Sequence, residues 1–223
     1  MVELLVVMVM LGFIVGGLVL SGSSAQRLGL REREVSQSMR DAQTAALKMT
    51  RELRQATQIL PAGNATGQCP AGTSASCVEF LVRTRTINAT TLNHGLMRVR
   101  IDCRVAYTLN PNDPYAGTYR SCVRYASVDT SVPPTTSTAV LVPRILNWTV
   151  NTCNAKDATF TCPVFNYRTT DVTQANGWAV ASTFTAAQRI DVSLQIPARG
   201  EATRAGTSRA LLVQDSAQLR NLL

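Results

Sequence analysis

The cysteines are the residues of this chain with the clearest potential for chemistry. They are even in number, and they stand at positions Cys69, Cys77, Cys103, Cys122, Cys153 and Cys162. No two have the Cys-x-x-Cys spacing, and the chain contains a single His. The sulfurs therefore lack the partners that zinc sites and covalently attached haem require, and we predict disulfides, no metal site and no cofactor.

Spacing favours two local disulfides and suggests a third. Cys69 and Cys77 bracket part of a loop rich in Gly, Ala, Ser and Thr, and a second short loop lies between Cys153 and Cys162. The strong turn Pro111-Asn-Asp-Pro114 would place Cys103 and Cys122 opposite each other in a hairpin.

The apolar pattern of that hairpin conflicts with the third pairing. Cys103 alternates with apolar residues, whereas Cys122 would share its face with Arg120 and Arg124. A β-bulge or an exposed face would reconcile the two patterns.

Catalytic motifs are missing from the sequence. Neither a nucleophile elbow nor a zinc-protease, phosphate-loop or dinucleotide-binding motif occurs. His94 lies in a turn-like Asn-His-Gly context, and the acidic residues are too scattered to form a catalytic pair. We therefore predict no catalytic residues and expect that the protein is not an enzyme.

Arginines give the chain a formal net charge of +8. Five of them lie at alternating positions of two predicted strands: Arg98, Arg100, Arg104, Arg120 and Arg124. Arginines on one face of a sheet could bind DNA or a charged surface ligand. Aromatic residues between them are sparse, so solvated sheet faces are the favoured interpretation and nucleic-acid contact is the alternative.

Period-two alternation predicts a β-rich C-terminal part. A turn is expected at Asn93–Gly95, and Thr169–Ala181 reads as irregular. The predicted strands are Val78–Arg85, Leu96–Leu109, Tyr119–Ala126, Val140–Val142, Ile145–Val150, Val164–Arg168, Arg189–Pro197, Arg209–Val213 and Ala217–Leu222.

The N-terminal segment is a continuous apolar run with one acid, Glu3, near its start. Residues 4–20 carry no charge, and as a helix they would span roughly 26 Å, close to the thickness of a bilayer core. A carboxylate beside such a run costs a few kcal/mol in lipid, about 2–4, unless it has a partner or a function. We predict a transmembrane or filament-core helix over residues 1–24.

A second helical pattern follows this run without a break. Its apolar residues recur at steps of three, four and seven and favour packing on a sheet over a coiled coil. They are Leu28, Val35, Met39, Ala42, Ala46, Met49, Leu53, Ala56 and Leu60. Residues 25–60 are thus predicted as an amphipathic continuation of the helix, and 61–223 as an antiparallel β-sheet domain.

The segment Met1–Gly12, MVELLVVMVMLG, resembles the N-terminal helix of type IV pilins and type II secretion pseudopilins, and Glu3 matches the acid of that family. Met49–Ala56, Pro163–Tyr167 and Gln218–Asn221 are similar to motifs of minor pilins of the GspJ and PilW type. The family's basic leader and the Gly before its processing site do not precede Met1, so cleavage and N-methylation are implied by the resemblance only.

The resemblance implies a pilin-like α+β fold, with a long N-terminal helix packed on an antiparallel β-sheet and loops stapled by disulfides. It implies a minor pilin or pseudopilin, assembling through Met1, Val2, Glu3 and Leu4, with Glu3 pairing with a neighbouring subunit's N-terminal amine. Implied partners are other pilin subunits, an inner-membrane assembly platform and a prepilin peptidase. The implied location is the bacterial inner membrane and then an extracytoplasmic filament or the cell surface.

Two alternatives remain open. One is a pilus-tip module that binds DNA or a surface ligand. The other is a single-pass anchored extracytoplasmic protein that joins no filament.

Overall fold

One long helix, α1, extends from Val2 to Arg54. It belongs to a computed structural model that describes residues 2–60, 69, 75–88, 91–106, 119–131, 133–150, 162–181, 186–197 and 210–219. Its second half is rich in Ala, Leu, Met, Gln, Glu and Arg, which are good helix formers. Arg51 and Arg54 in the last turn stabilise the negative end of the helix dipole.

The transmembrane or filament-core helix that we predict over residues 1–24 stays a prediction. Within the part of the chain that the structure describes, no helix combines the length and the apolarity needed to cross a membrane.

The helix ends six residues before the predicted position, Leu60. Ala56–Ile59 forms strand β1 instead, with Ile59 opposite Phe80. The β-branched residues Thr57 and Ile59 favour an extended backbone. Ala56 and Ile59 are both buried, so the apolar spacing that suggested more helix is also satisfied by this strand.

Nine strands of the described residues form two antiparallel sheets. Sheet A has the sequential order β1-β2-β3-β4-β5, and sheet B has the order β7-β6-β8-β9. A short 3₁₀-helix, Asn147–Thr149, follows sheet A. After β1 the strands are β2 Cys77–Asn88, β3 Thr91–Ala106, β4 Arg120–Ser127, β5 Ser137–Ile145, β6 Phe165–Thr170, β7 Trp178–Val180, β8 Arg189–Pro197 and β9 Ala210–Gln218.

The predicted fold class, a pilin-like α+β fold with one sheet beneath the helix, is therefore wrong. The described chain is mostly antiparallel β structure in two sheets, and α1 contacts β5, β8 and β9. Alternation along a strand shows which side chains face a core, but it does not show which strands pair. For that reason the sequence did not reveal the division into two sheets.

Most strands lie close to their predicted positions. The limits Arg189–Pro197 are confirmed. The strand predicted over Val140–Val142 and Ile145–Val150, with a Pro interruption, is a continuous strand, β5, that ends at Ile145 and is followed by the 3₁₀-helix. The two predicted C-terminal strands are one, β9.

Two local predictions in the β region are wrong. Asn93–Gly95 is not a turn but part of β3, because β2 and β3 pair continuously from Cys77 opposite Asp102 to Asn88 opposite Thr91. Part of the stretch that was predicted to be irregular forms β7, which pairs with β6 at Thr170 and Trp178.

The core lies between the C-terminal half of α1 and both sheets. Small residues on the buried helix face, Ala42, Ala45 and Ala46, let the helix approach the strands closely, and Met49 and Leu53 fill the space beyond them. The largest sheet residues in this core include Phe80, Ile101, Phe165, Ile190 and Leu194. Removing one such side chain to Ala costs about 2–5 kcal/mol, since a cavity adds to the lost burial.

Two of the predicted disulfides are present, Cys69–Cys77 and Cys103–Cys122. Cys162 is also disulfide-bonded, and its predicted partner Cys153 lies outside the described residues.

The hairpin geometry explains how the second bridge forms despite the apolar pattern. Ile101 lies opposite Arg124, and Asp102 lies opposite Val123, which is the predicted register. The register shifts between Asp102 and Val105. This irregularity beside Cys103 is the bulge that the sequence required, and both cysteines are fully buried.

Removing the Cys103–Cys122 disulfide should destabilise the protein more than removing Cys69–Cys77. The two bridges close loops with sequence separations of 19 and 8, and chain entropy alone predicts a difference of about 0.8 kcal/mol. All four cysteines are buried, so the cavity cost applies to both variants and the loop length sets the order. Denaturant unfolding of the two double Cys→Ala variants measures both losses, and an equal or reversed order would contradict this prediction.

Candidate assembly surface

The N-terminal half of α1 exposes large apolar side chains to solvent. Their exposed fractions range from 50% at Val15 to 78% at Phe13. The others are Met8, Met10, Leu11, Ile14, Leu18 and Val19. Monomeric soluble proteins rarely expose continuous apolar surface of this kind, which is typical of interaction sites.

This apolar surface surrounds the helix. Successive residues of an α-helix are about 100° apart, so Phe13, Ile14 and Val15 alone project in widely separated directions. The described side chains from Met8 to Val19 are all exposed. A helix that is apolar on every side is normally buried on every side.

Two glycines open one face of this segment. Gly12 and Gly16 are four residues apart, and a Cβ atom at either position would meet nothing within 4 Å. Small residues at this spacing allow two helix backbones to approach closely. The Gly-x-x-x-Gly spacing is the sequence signal from which this face could have been predicted.

Three of the four predicted assembly residues, Val2, Glu3 and Leu4, belong to the first turn of α1. The fourth, Met1, lies outside the described residues.

The five predicted nucleic-acid contacts do not share one face. Arg100 lies opposite Tyr125, and Arg124 lies opposite Ile101, so these two arginines project from opposite faces of sheet A. Arg98 and Arg100 are only 7% and 8% exposed. The structure therefore does not bring these side chains together as one basic surface.

Each of these arginines also has a partner within the protein. Arg98 donates from Nε to Glu79 at 2.5 Å, and the Arg100 guanidinium lies 4.2 Å from the Tyr125 ring centroid. Arg120 stacks on Trp148 at 4.5 Å.

Arg104 is held by Asp102, with Nη2 2.7 Å from the carboxylate. The side-chain hydrogen bond from Arg104 to Asp102 raises the pKa of Arg104, although burial opposes the shift. The guanidinium is thus fixed in its charged form beside its own acid.

Arg124 joins the sheet to the helix. Its Nε donates to both carboxylate oxygens of Glu52 at 2.9 Å. Thr50 makes a second polar link, from its hydroxyl to Asp215 of β9 at 2.6 Å. Sequence reasoning did not find either link, because neither pair is close in sequence.

Comparison of the chain with protein-family models, curated proteins and solved structures finds no match.

We expect Glu52 and Arg124 to couple energetically. The two side chains are 20% and 16% exposed, so losing one partner leaves a charge that solvent stabilises poorly. A double-mutant cycle with Glu52→Ala and Arg124→Ala should give a coupling of about 1–2 kcal/mol in the free energy of unfolding.

Arg40→Ala provides the control for this cycle. Arg40 is an exposed arginine of the same helix, and its loss should change stability by less than about 0.5 kcal/mol. Additive effects of the Glu52 and Arg124 substitutions would show that the ion pair does not hold the helix on the sheet.

Proposed function

We propose that this chain is a structural subunit of a bacterial extracytoplasmic filament of the type IV pilus or type II secretion kind. In this role the N-terminal half of α1 packs among the corresponding helices of other subunits. The observation that carries the proposal is the ring of exposed apolar side chains between Met8 and Val19. The resemblance of Met1–Gly12 to the pilin helix supports it independently.

The exposed side chains offer a large driving force for helix packing. Fully burying one Val, Leu, Ile, Phe or Met side chain contributes about 1.5–3 kcal/mol, and each of the eight still has half or more of its surface in solvent. Neighbouring helices of the same composition would cover this surface on all sides. The Gly12 and Gly16 face allows the closest approach.

Glu3 would set the register of that packing. The resemblance pairs its carboxylate with the N-terminal amine of a neighbouring subunit. A charge pair in a dry helix bundle costs about 3–5 kcal/mol when one partner is removed. Subunits out of register would therefore leave Glu3 unpaired, and assembly would select the aligned arrangement.

The finer parts of the proposal follow from the resemblance. They are a minor rather than a bulk subunit, an inner-membrane assembly platform and a prepilin peptidase as partners, and a place in the filament or at the cell surface. The β domain would then be the part that faces outward from the bundle.

The DNA-binding alternative receives less support. The arginines on which it rests are divided between the two faces of sheet A, and two of them are largely buried. The other alternative is an anchored protein that joins no filament. It differs from the proposed filament subunit in one testable respect, because it gives Glu3 no role in assembly.

The Glu3→Ala variant tests the proposal, and a second variant that loses an exposed acid of the same helix is its control. Glu32 is an exposed acid on the same helix, and Glu32→Ala makes the same chemical change outside the apolar segment. We expect the Glu3 variant to be produced at the normal level but absent from filaments sheared from cells. The Glu32 variant should be present in them.

Quantitative immunoblotting of the sheared and cell-bound fractions measures this distribution. Normal recovery of the Glu3→Ala variant in filaments would contradict the assembly role of this residue.

A further inference from the structure

A polar groove of about 410 Å³ lies on sheet B. Alternation along β8 places Ile190, Val192 and Leu194 in the core, so Arg189, Asp191 and Ser193 project from the other face. Residues that lie opposite them in the neighbouring strands share this face: Asn166, Arg168, Gln214 and Ser216. We call this set of side chains the arginine groove.

The charges in the arginine groove are unbalanced. Arg168 and Arg189 lie directly opposite each other on β6 and β8, an arrangement in which like charges repel. Both contact the same acid through Nε, at 3.3 Å from Arg168 and 2.6 Å from Arg189 to Asp191. Two guanidinium groups thus share one carboxylate, and their terminal nitrogens have no carboxylate partner among the described residues.

The other acid that borders the groove does not neutralise this charge. Asp215 accepts hydrogen bonds from the Thr50 hydroxyl and from the backbone N–H of Ser216, and its carboxylate lies 4.0 Å from the Arg54 guanidinium, which balances its charge. It also lies opposite Val192, on the face of sheet B that α1 covers. The arginine groove therefore keeps an excess positive charge.

A buried hydroxyl in the groove has no hydrogen-bond partner. Ser193 is 3% exposed, and its Oγ forms no hydrogen bond within the described structure. A buried polar group without a partner costs about 1–3 kcal/mol. Protein atoms alone bury Ser193 and Asn166, which is 8% exposed. The observation that points to a ligand is the unsatisfied Ser193 hydroxyl.

We infer that the arginine groove binds a small anion that carries a carboxylate or a phosphate group. Arg168 and Arg189 would donate to it from their terminal nitrogens, in the forked geometry that guanidinium groups offer to planar or tetrahedral oxyanions. The Ser193 hydroxyl would donate a further hydrogen bond. Binding would relieve the repulsion between the two arginines and satisfy the buried hydroxyl.

Isothermal titration calorimetry of the full chain in detergent micelles tests this inference. The probes are inorganic phosphate and D-glucuronate, each compared with chloride at equal ionic strength. We expect saturable binding of at least one probe. Binding of phosphate alone would identify a phosphate ligand, and binding of glucuronate alone a carboxylate ligand. No saturable binding of either would overturn the inference.

Substitutions of the two groove arginines test whether the anion binds in the arginine groove. Arg168→Gln and Arg189→Gln should each weaken it by about tenfold or more, the factor expected for one charge-assisted hydrogen bond. Arg83→Gln is the control, because Arg83 is an exposed arginine on sheet A and its loss makes the same charge change elsewhere. Equal weakening by all three variants would show nonspecific charge attraction and would contradict the inference.

Ser193→Ala separates binding from folding. This change removes a hydroxyl that has no partner, so the thermal unfolding midpoint in chloride should stay the same or rise. Affinity for the bound probe should fall severalfold. If a folded Ser193→Ala variant binds the probe with unchanged affinity, the hydroxyl does not contact the anion. That result would contradict the inference of a built site.

Discussion

Burial of the C-terminal half of α1 against the strands is the interaction on which the rest of the structure depends. The face formed by Ala42, Ala46, Met49 and Leu53 contributes to a core shared by both sheets. The same helix contacts β5 of sheet A as well as β8 and β9 of sheet B. Without it, each sheet would expose a long apolar face to water.

Polar contacts fix the position of this helix more narrowly than apolar packing alone. Glu52 meets Arg124 on sheet A, and Thr50 meets Asp215 on sheet B. One helical turn is thus linked to both sheets. This anchorage explains how the same helix can carry an N-terminal half whose apolar side chains remain exposed, since the covered half is held by the domain.

Sequence reasoning succeeded where a physical pattern is local. Alternation identified most strands. A turn predicted at Pro111–Pro114, which lies outside the described residues, gave the β3–β4 register that is observed and the Cys103–Cys122 pairing. Sequence reasoning failed where the structure depends on contacts between residues far apart in the chain, as in the division of the strands into two sheets. The burial of Arg98 beside Glu79 and the burial of Ser193 were equally out of reach, because strand alternation predicts a face but not what covers it.

The central claim is that the exposed half of α1 is covered by the same segment of other subunits. A photo-crosslinking residue at Phe13, which is 78% exposed, measures this contact in living cells. Val172, 97% exposed in the β domain, is the control position. The account predicts adducts that join Phe13 to residues 1–24 of a neighbouring filament subunit and none of that kind from Val172. Adducts to lipid alone, or equal patterns from both positions, would contradict it.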